Sequence, residues 1–217
     1  MKRSPQRQEP ALSKPDEPSH GNAEYPWTKF DAEAYFSHYY RELHADDIEV
    51  IQRTVEALKN AKPRGEKLNV LDVGTGGGVP GVILAIVRPD LRIELCDSVG
   101  KKARAVTSIL ADLGLQLPVH ASAAQEVLRT SRFDTLVIRA VAPLAKVLTW
   151  FAPHWRSIGR LLIIKGPAWV EERHVAREKG LLGQLSLRKV AAYPLPGTQS
   201  ESVILSIAPK PNQGAAP

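Results

Sequence analysis

The sequence contains one cysteine, one methionine and no apolar run near the roughly 18 residues that a membrane-spanning helix requires. A single cysteine, Cys96, excludes an intramolecular disulfide framework and suits a reducing compartment. The first residues, MKRSPQRQEP, lack the apolar segment of a signal peptide. The six histidines show no metal-ligand spacing. These absences predict a soluble cytoplasmic protein, without a membrane partner or a metal site.

Length and composition indicate a globular protein, and its net positive charge suits a polyanionic partner. The 217 residues carry a formal net charge of +6 with a pI near 9.5, and 43% of them are hydrophobic. A chain of this kind can bury a substantial core as one domain. Its positive charge is compatible with nucleic acid, although charge alone does not require such a partner. We expect a monomer.

The composition changes along the chain and predicts four segments. Residues 1–24 are polar and rich in proline, which indicates a disordered tail. Residues 25–65 contain two helical patterns and form a helical lead-in, whose second helix opens at Asp46 and Asp47. Residues 66–208 form the main domain, and residues 209–217 form a flexible C-terminal tail.

Within the main domain, short apolar runs alternate with helical patterns. The predicted strands are 68–73, 92–97, 118–122, 133–140 and 159–166, and the helices between and after them are about 80–88, 100–113, 124–130, 143–152 and 168–180. This alternation predicts an α/β fold with a parallel sheet covered on both faces. Two final strands without an intervening helix predict a C-terminal antiparallel hairpin. The resulting mostly parallel seven-stranded sheet is that of a Rossmann-like class I methyltransferase.

The segment LDVGTGGGVPG (71–81) follows the first strand and precedes a helix whose first turn is predicted to carry Pro80. Ligands of open α/β sheets bind at the carboxyl ends of strands, so this segment is interpreted as a cofactor loop. Residues 76–81 match the dinucleotide pattern G-x-G-x-x-G, which is weak evidence. An overlapping acidic–glycine motif, typical of S-adenosylmethionine (AdoMet) enzymes, comprises Asp72, Gly74, Gly76 and Gly78.

Three features favour AdoMet over a dinucleotide. Asp72 near the end of the first strand suits a cofactor that bears an ammonium and a sulfonium. The G-x-G-x-x-G pattern begins three residues after Val73, too late for a tight strand-to-helix turn. The terminal hairpin does not fit the six-stranded parallel sheet of dinucleotide-binding domains.

Asp97, after the second strand, can accept hydrogen bonds from ribose hydroxyls of either cofactor. Its alternative role is to cap the next helix, where Ser98 is a competing cap.

Several segments resemble the small-subunit ribosomal RNA methyltransferase G (GidB) family. They are LDVGTGGGVPG, IVRPD, CDSVGKKAR, IRAVAPLAKVLTW and LLIIKG, within a match from about Leu68 to Ile207. The resemblance implies an enzyme that uses AdoMet to methylate a guanine N7 in 16S rRNA. It also implies cofactor contacts from Gly74, Val79, Ala124, Gln125 and Arg139. The family usually has a glutamate where this chain has Gln125.

The N-terminal part departs from that family, because its tryptophan–asparagine and histidine–aspartate motifs are missing before Leu68. FDAEAYFSHYYREL (30–43) is instead similar to the entrance segment of nicotinamide-type small-molecule N-methyltransferases. That resemblance implies that Tyr35 and Tyr40 close over AdoMet. Packing of an amphipathic helix is the other explanation of these tyrosines.

The chemistry of guanine N7 requires no general base, because this nitrogen already carries an unprotonated lone pair. Catalysis then depends on positioning and electrostatics. Arg139, after the fourth strand, is the candidate catalytic residue and can bind guanine, phosphate or a cofactor carboxylate. Lys165 is a second cation on the same rim. The alternatives are a small-molecule N- or O-methyltransferase, a non-catalytic RNA-binding protein on this fold, and a dehydrogenase.

Overall fold

The computed structural model describes residues 45–58, 66–194 and 199–211. Its helices are α1 (Ala45–Leu58), α2 (Gly81–Val87), α3 (Gly100–Asp112), α4 (Ala124–Val127), α5 (Leu144–Phe151) and α6 (Trp169–Glu178), with a 3₁₀ helix over Ala152–Ser157. Its strands are β1 (Asn69–Val73), β2 (Arg92–Cys96), β3 (Val119–His120), β4 (Phe133–Arg139), β5 (Ile158–Lys165), β6 (Leu185–Pro194) and β7 (Glu201–Pro209). The predicted tail of residues 1–24, Tyr35 and Tyr40 lie outside the described residues.

The strands form one sheet in the order β3-β2-β1-β4-β5-β7-β6. Strands β1 to β5 are parallel to one another, whereas β7 is antiparallel to both β5 and β6. This arrangement confirms the predicted Rossmann-like sheet with a C-terminal hairpin. Because β1 to β5 are parallel, the loops that follow them meet at one edge of the sheet, which we call the carboxyl edge.

Each face of the sheet is covered by helices, so adjacent strand residues belong to different cores. In β4, Leu136 and Ile138 pack with α5, whereas Val137 packs with α1, α2 and α3. Such strands are apolar on both faces, which explains their continuous hydrophobic runs. Among the described residues, no helix is both long and apolar enough to cross a bilayer.

Arg160 of β5 attaches α1 to the sheet. Its Nε donates to Thr135 Oγ1 at 3.1 Å, and its Nη2 donates to Ala57 O at 3.0 Å, in the last turn of α1. Burial lowers the pKa of Arg160, as expected for a cation removed from water. A cation beside the last carbonyls of a helix also interacts favourably with the helix dipole. Helix α1, within the predicted lead-in, is therefore part of the folded core.

Local differences from the predicted elements occur at the carboxyl edge. Pro80 was expected inside the first helical turn, but α2 begins at Gly81 and Pro80 precedes it, after a cis peptide bond with Val79. The backbone N–H of Val82 donates to Gly78 O at 2.7 Å, so the glycine loop leads directly into the helix. The predicted 118–122 strand shortens to β3, and the 124–130 helix shortens to α4.

Candidate cofactor and substrate site

The glycine loop between β1 and α2 has a backbone that few other residues can adopt. Gly74, Gly76 and Gly78 have φ values of 69°, 53° and 92°. A side chain at such a φ is strained, and this explains glycine at all three positions. The loop is fixed to β2, since the N–H groups of Gly74 and Thr75 donate to Cys96 O at 2.9 and 3.0 Å. The predicted cofactor loop is therefore preformed.

Asp72 closes this loop from inside the protein. Its Oδ2 accepts hydrogen bonds from Thr75 Oγ1 at 2.7 Å and from the Gly81 N–H at 3.1 Å. Only 1% of the residue is exposed, and burial raises the pKa of its carboxyl group to about 6. A Cβ at Gly81 would lie 2.5 Å from that same oxygen. Asp72 therefore connects the two ends of the loop and requires glycine at position 81.

The raised pKa of Asp72 predicts a pH-dependent stability. Between 3.8 and about 6 the folded chain binds more protons than the unfolded chain, so this stabilisation is complete below 3.8 and is lost as pH rises through 6. The expected loss is roughly 3 kcal/mol. The free energy of unfolding of the wild type, measured with urea and compared with that of Asp72→Asn, should therefore fall between pH 4 and pH 7. A constant difference would show that the carboxyl titrates normally.

Asp97 follows β2 and holds the same loop from the other side. Its Oδ2 accepts from the Gly76 N–H at 3.0 Å and its Oδ1 accepts from the Val99 N–H at 2.9 Å. Helix α3 begins at Gly100, and Val99 occupies the N-cap position that was predicted for Asp97 or Ser98. Asp97 instead precedes the cap and binds the N–H of Val99. Each carboxylate oxygen has a further lone pair for a ligand.

The end of β4 makes a second turn beside the loop. Ala140 has a φ of 52°, an unusual conformation for a residue with a side chain. The next residue, Val141, covers Gly74, because a Cβ at Gly74 would lie 2.6 Å from Val141 Cγ2. Strain of this kind is often maintained at functional sites. The turn places Arg139 next to the glycine loop.

A cavity of about 440 Å³ opens beside this turn, at the carboxyl ends of β4 and β5. Its lining residues are Val50, Arg139, Ala140, Val141, Ala142, Pro143, Ile164, Lys165, Gly166, Glu172, Tyr193 and Ser202. The volume lies within the range typical of small-ligand pockets. Arg139 and Lys165 were both predicted at this rim, and the structure brings them to one cavity.

Glu172, on α6, was not predicted to be functional. Its Oε2 lies 2.7 Å from Lys165 Nζ and accepts from the Leu144 N–H at 2.6 Å. Lys165 Nζ also donates to Ala142 O at 2.6 Å. The sequence signal was an acidic residue in the first turn of the helix that follows Lys165, a position that brings it back to the carboxyl edge.

The remaining predicted cofactor contacts follow β1 and β3 at the carboxyl edge. Val79 is half-buried beside Pro80, Ala124 is buried at the start of α4, and Gln125 is half-buried beside it. The structure therefore places these residues, the glycine loop, Asp97 and Arg139 along one edge of the sheet. The structure does not describe Tyr35 and Tyr40, so their predicted contact with the cofactor stays a prediction.

Solved structures share the fold of this chain at low sequence identity. A ribosomal protein L11 methylase from Lactobacillus delbrueckii subsp. bulgaricus has a TM-score of 0.54 and 14% identity, over 77% of this chain and 80% of that one. A mutant of MtNAS, solved in complex with S-adenosylmethionine, has a TM-score of 0.56 and 15% identity, over 84% and 68% of the two chains. These likenesses support the methyltransferase fold alone.

Sequence comparisons are more specific. Two proteins named ribosomal RNA small subunit methyltransferase G are similar to this chain. The protein from Rhodopirellula baltica is 49% identical over 126 residues, which are 58% of this chain and 54% of the relative. The protein from Solibacter usitatus is 38% identical over 140 residues, which are 64% and 67%. The chain thus spans about half the length of the first of these relatives.

The family model described as rRNA small subunit methyltransferase G matches residues 53–193, from α1 to β6. The match includes the glycine loop, Asp97, the end of β4 and most of the residues that line the cavity, among them Lys165 and Glu172. It covers well over half of the 217 residues. The chain therefore belongs to the rRNA small subunit methyltransferase G (GidB) family.

Proposed function

We propose that this protein is an AdoMet-dependent methyltransferase that methylates guanine N7 in 16S (small-subunit) rRNA. The observation that carries this proposal is the family match across the glycine loop and most of the cavity-lining residues. The names of the relatives, ribosomal RNA small subunit methyltransferase G, support rRNA as the substrate. We also propose that the protein is a cytoplasmic monomer and that residues 66–208 form its methyltransferase domain.

The residues at the carboxyl edge fit AdoMet. Among the described residues, a Cβ at Gly76 would meet only Gly74 O, at 3.7 Å, so this part of the structure leaves a side of the loop that a ligand can approach closely. Asp97 is 5% exposed and its carboxylate can accept both ribose hydroxyls through its remaining lone pairs. Val79, Ala124 and Gln125 would contact other parts of the cofactor. Asp72 would act through the loop, since its carboxylate is enclosed.

The reaction needs little covalent chemistry from the protein. AdoMet supplies a methyl group on a sulfonium, an electrophile that a neutral nitrogen lone pair can attack. The chain then has to hold the guanine in line with that methyl group and exclude water. Arg139 is at the end of β4, which pairs with β1, and it lines the cavity. It would bind the substrate base or phosphate by charge-assisted hydrogen bonds.

This proposal predicts an activity that depends on salt and on Arg139. With rRNA as substrate, kcat/KM should fall steeply as salt rises, because cations released from the phosphates favour binding at low salt. Arg139→Ala should lower kcat by roughly 100-fold, the usual cost of one positioned donor in an active site. Methyl transfer to 16S rRNA, measured with radiolabelled AdoMet across a salt series, checks both effects.

Arg132→Ala is the matched control, because Arg132 lies just before β4, at the opposite edge of the sheet. It removes the same charge and should leave kcat near that of the wild type. Salt-insensitive activity, with a small molecule as the better methyl acceptor, would instead support the small-molecule methyltransferase. In that case Tyr35→Ala and Tyr40→Ala should be the severe substitutions.

A further inference from the structure

The ion pair between Lys165 and Glu172 forms part of the cavity wall. Glu172 supplies the only carboxylate among the cavity-lining residues that the structure describes. Lys165 is 9% exposed, at the end of β5. Both side chains are held by main-chain atoms of the segment after β4, through Ala142 O and the Leu144 N–H. The pair is therefore fixed in one orientation before any ligand binds.

Hydrogen-bonding capacity remains on both partners. Glu172 Oε2 is occupied by the Lys165 ammonium and the Leu144 N–H, whereas Oε1 has no hydrogen-bond partner within the described part of the chain. Lys165 Nζ has three N–H groups, and its contacts with Ala142 O and Glu172 Oε2 occupy two of them. The cavity wall therefore presents an unused donor beside an unused acceptor.

We propose, resting on the proposed function, that Glu172 selects guanine by binding its Watson–Crick edge. That edge carries the O6 acceptor followed by the N1–H and N2–H donors. Lys165 would donate to O6, while Glu172 Oε1 would accept from N1–H and N2–H. Adenine has a donor and an acceptor in the reverse order at these positions, so it would face like groups. Enzymes that act on an extruded base commonly read this edge.

This orientation also suits the reaction. N7 lies next to O6 on the Hoogsteen edge of guanine, and neither Lys165 nor Glu172 is assigned to bind it. It therefore stays available for the methyl group of the cofactor. Because Leu144 and Lys165 fix the carboxylate in advance, little ordering is needed when the base binds. Glu172 thus determines specificity without taking a proton.

The test uses the full chain and small-subunit rRNA assembled by ligation, with guanosine or inosine at the methylated position. Inosine differs only by lacking the 2-amino group, one of the two donors assigned to Glu172. For the wild type we expect kcat/KM to fall roughly 10- to 100-fold on inosine. Glu172→Gln should lower kcat/KM on guanosine by a similar factor, with little further loss on inosine. Glu171→Gln, at an exposed acidic neighbour in the same helical turn, is the control and should behave as the wild type.

If inosine lowered kcat/KM by the same factor in the wild type and in Glu172→Gln, the proposal would be overturned, because Glu172 would then only support Lys165 and α5. A wild type that methylates inosine as fast as guanosine would overturn it as well. Glu172→Asp keeps the charge but moves it away from the base, so it should also reduce the ratio of kcat/KM on guanosine to kcat/KM on inosine. This variant replaces Glu172→Gln in the test if the glutamine variant fails to fold. A wild type that binds AdoMet in calorimetry but methylates no rRNA guanine would contradict the proposed function instead.

Discussion

Replacing Gly76 with valine should abolish AdoMet binding. Gly76 has a φ of 53°, which a β-branched residue adopts at a cost of about 1–2 kcal/mol in stability. Within the described ranges, a Cβ there meets only Gly74 O at 3.7 Å, so the side chain would occupy the open side of the loop. The expected result is a folded protein without measurable affinity, checked by calorimetry with AdoMet and by urea unfolding.

Gly114 provides a matched control for this substitution. It has a φ of 65°, and a Cβ there would meet no atom of the described residues within 4 Å. It follows α3, which begins at the carboxyl edge and leads away from it. Gly114→Val should therefore have a similar cost in stability and leave AdoMet affinity unchanged. If Gly76→Val retained wild-type affinity, the glycine loop would not be the cofactor site.

Asp97→Ala should weaken AdoMet binding by about 2 kcal/mol, or roughly 30-fold, since two charge-assisted hydrogen bonds to ribose would be lost. The structure adds a second consequence. Removal of the carboxylate leaves the Gly76 and Val99 N–H groups without their acceptor, so stability should fall too. Calorimetry at a temperature well below the midpoint of unfolding separates the affinity of the folded protein from its stability.

Asp134→Ala is the comparison for this result. Asp134 Oδ2 accepts from the Asn69 N–H at 2.7 Å, but at the opposite edge of the sheet from the glycine loop. This variant also loses a carboxylate that binds a main-chain N–H, so it should lose stability without losing affinity. If Asp97→Ala behaved in the same way, Asp97 would serve only the loop backbone and not the ribose.

Much of the fold could be predicted from the sequence, because the apolar runs, turn residues and helical patterns are local and agree with one another. Strands such as FDTLVIR are apolar along most of their length, which indicates burial on both faces, and Asp72, Gly74 and Gly76 define the first turn. The final hairpin followed from the lack of a helix between two strand patterns. Site residues that follow strands could be placed at one edge, because parallel strands bring their carboxyl ends together.

Contacts between residues that are distant in the chain could not be predicted from the sequence. The side chain of Val141 covers Gly74, and the left-handed turn at Ala140 sets that contact, yet alanine carries no signal for a positive φ. The Lys165–Glu172 pair depends on where α6 starts relative to β5. The end of the glycine loop is bound to α2 by the hydrogen bond from the Val82 N–H to Gly78 O. Propensity and spacing do not determine such tertiary details.

The most direct test of the proposed function is to map N7-methylguanosine in the 16S rRNA of cells with and without this gene. One N7-methylguanosine should disappear when the gene is deleted. It should return on expression of the wild-type protein, but not of the Gly76→Val variant. An unchanged pattern of N7-methylguanosine in the deletion strain would contradict the assignment of 16S rRNA as the substrate.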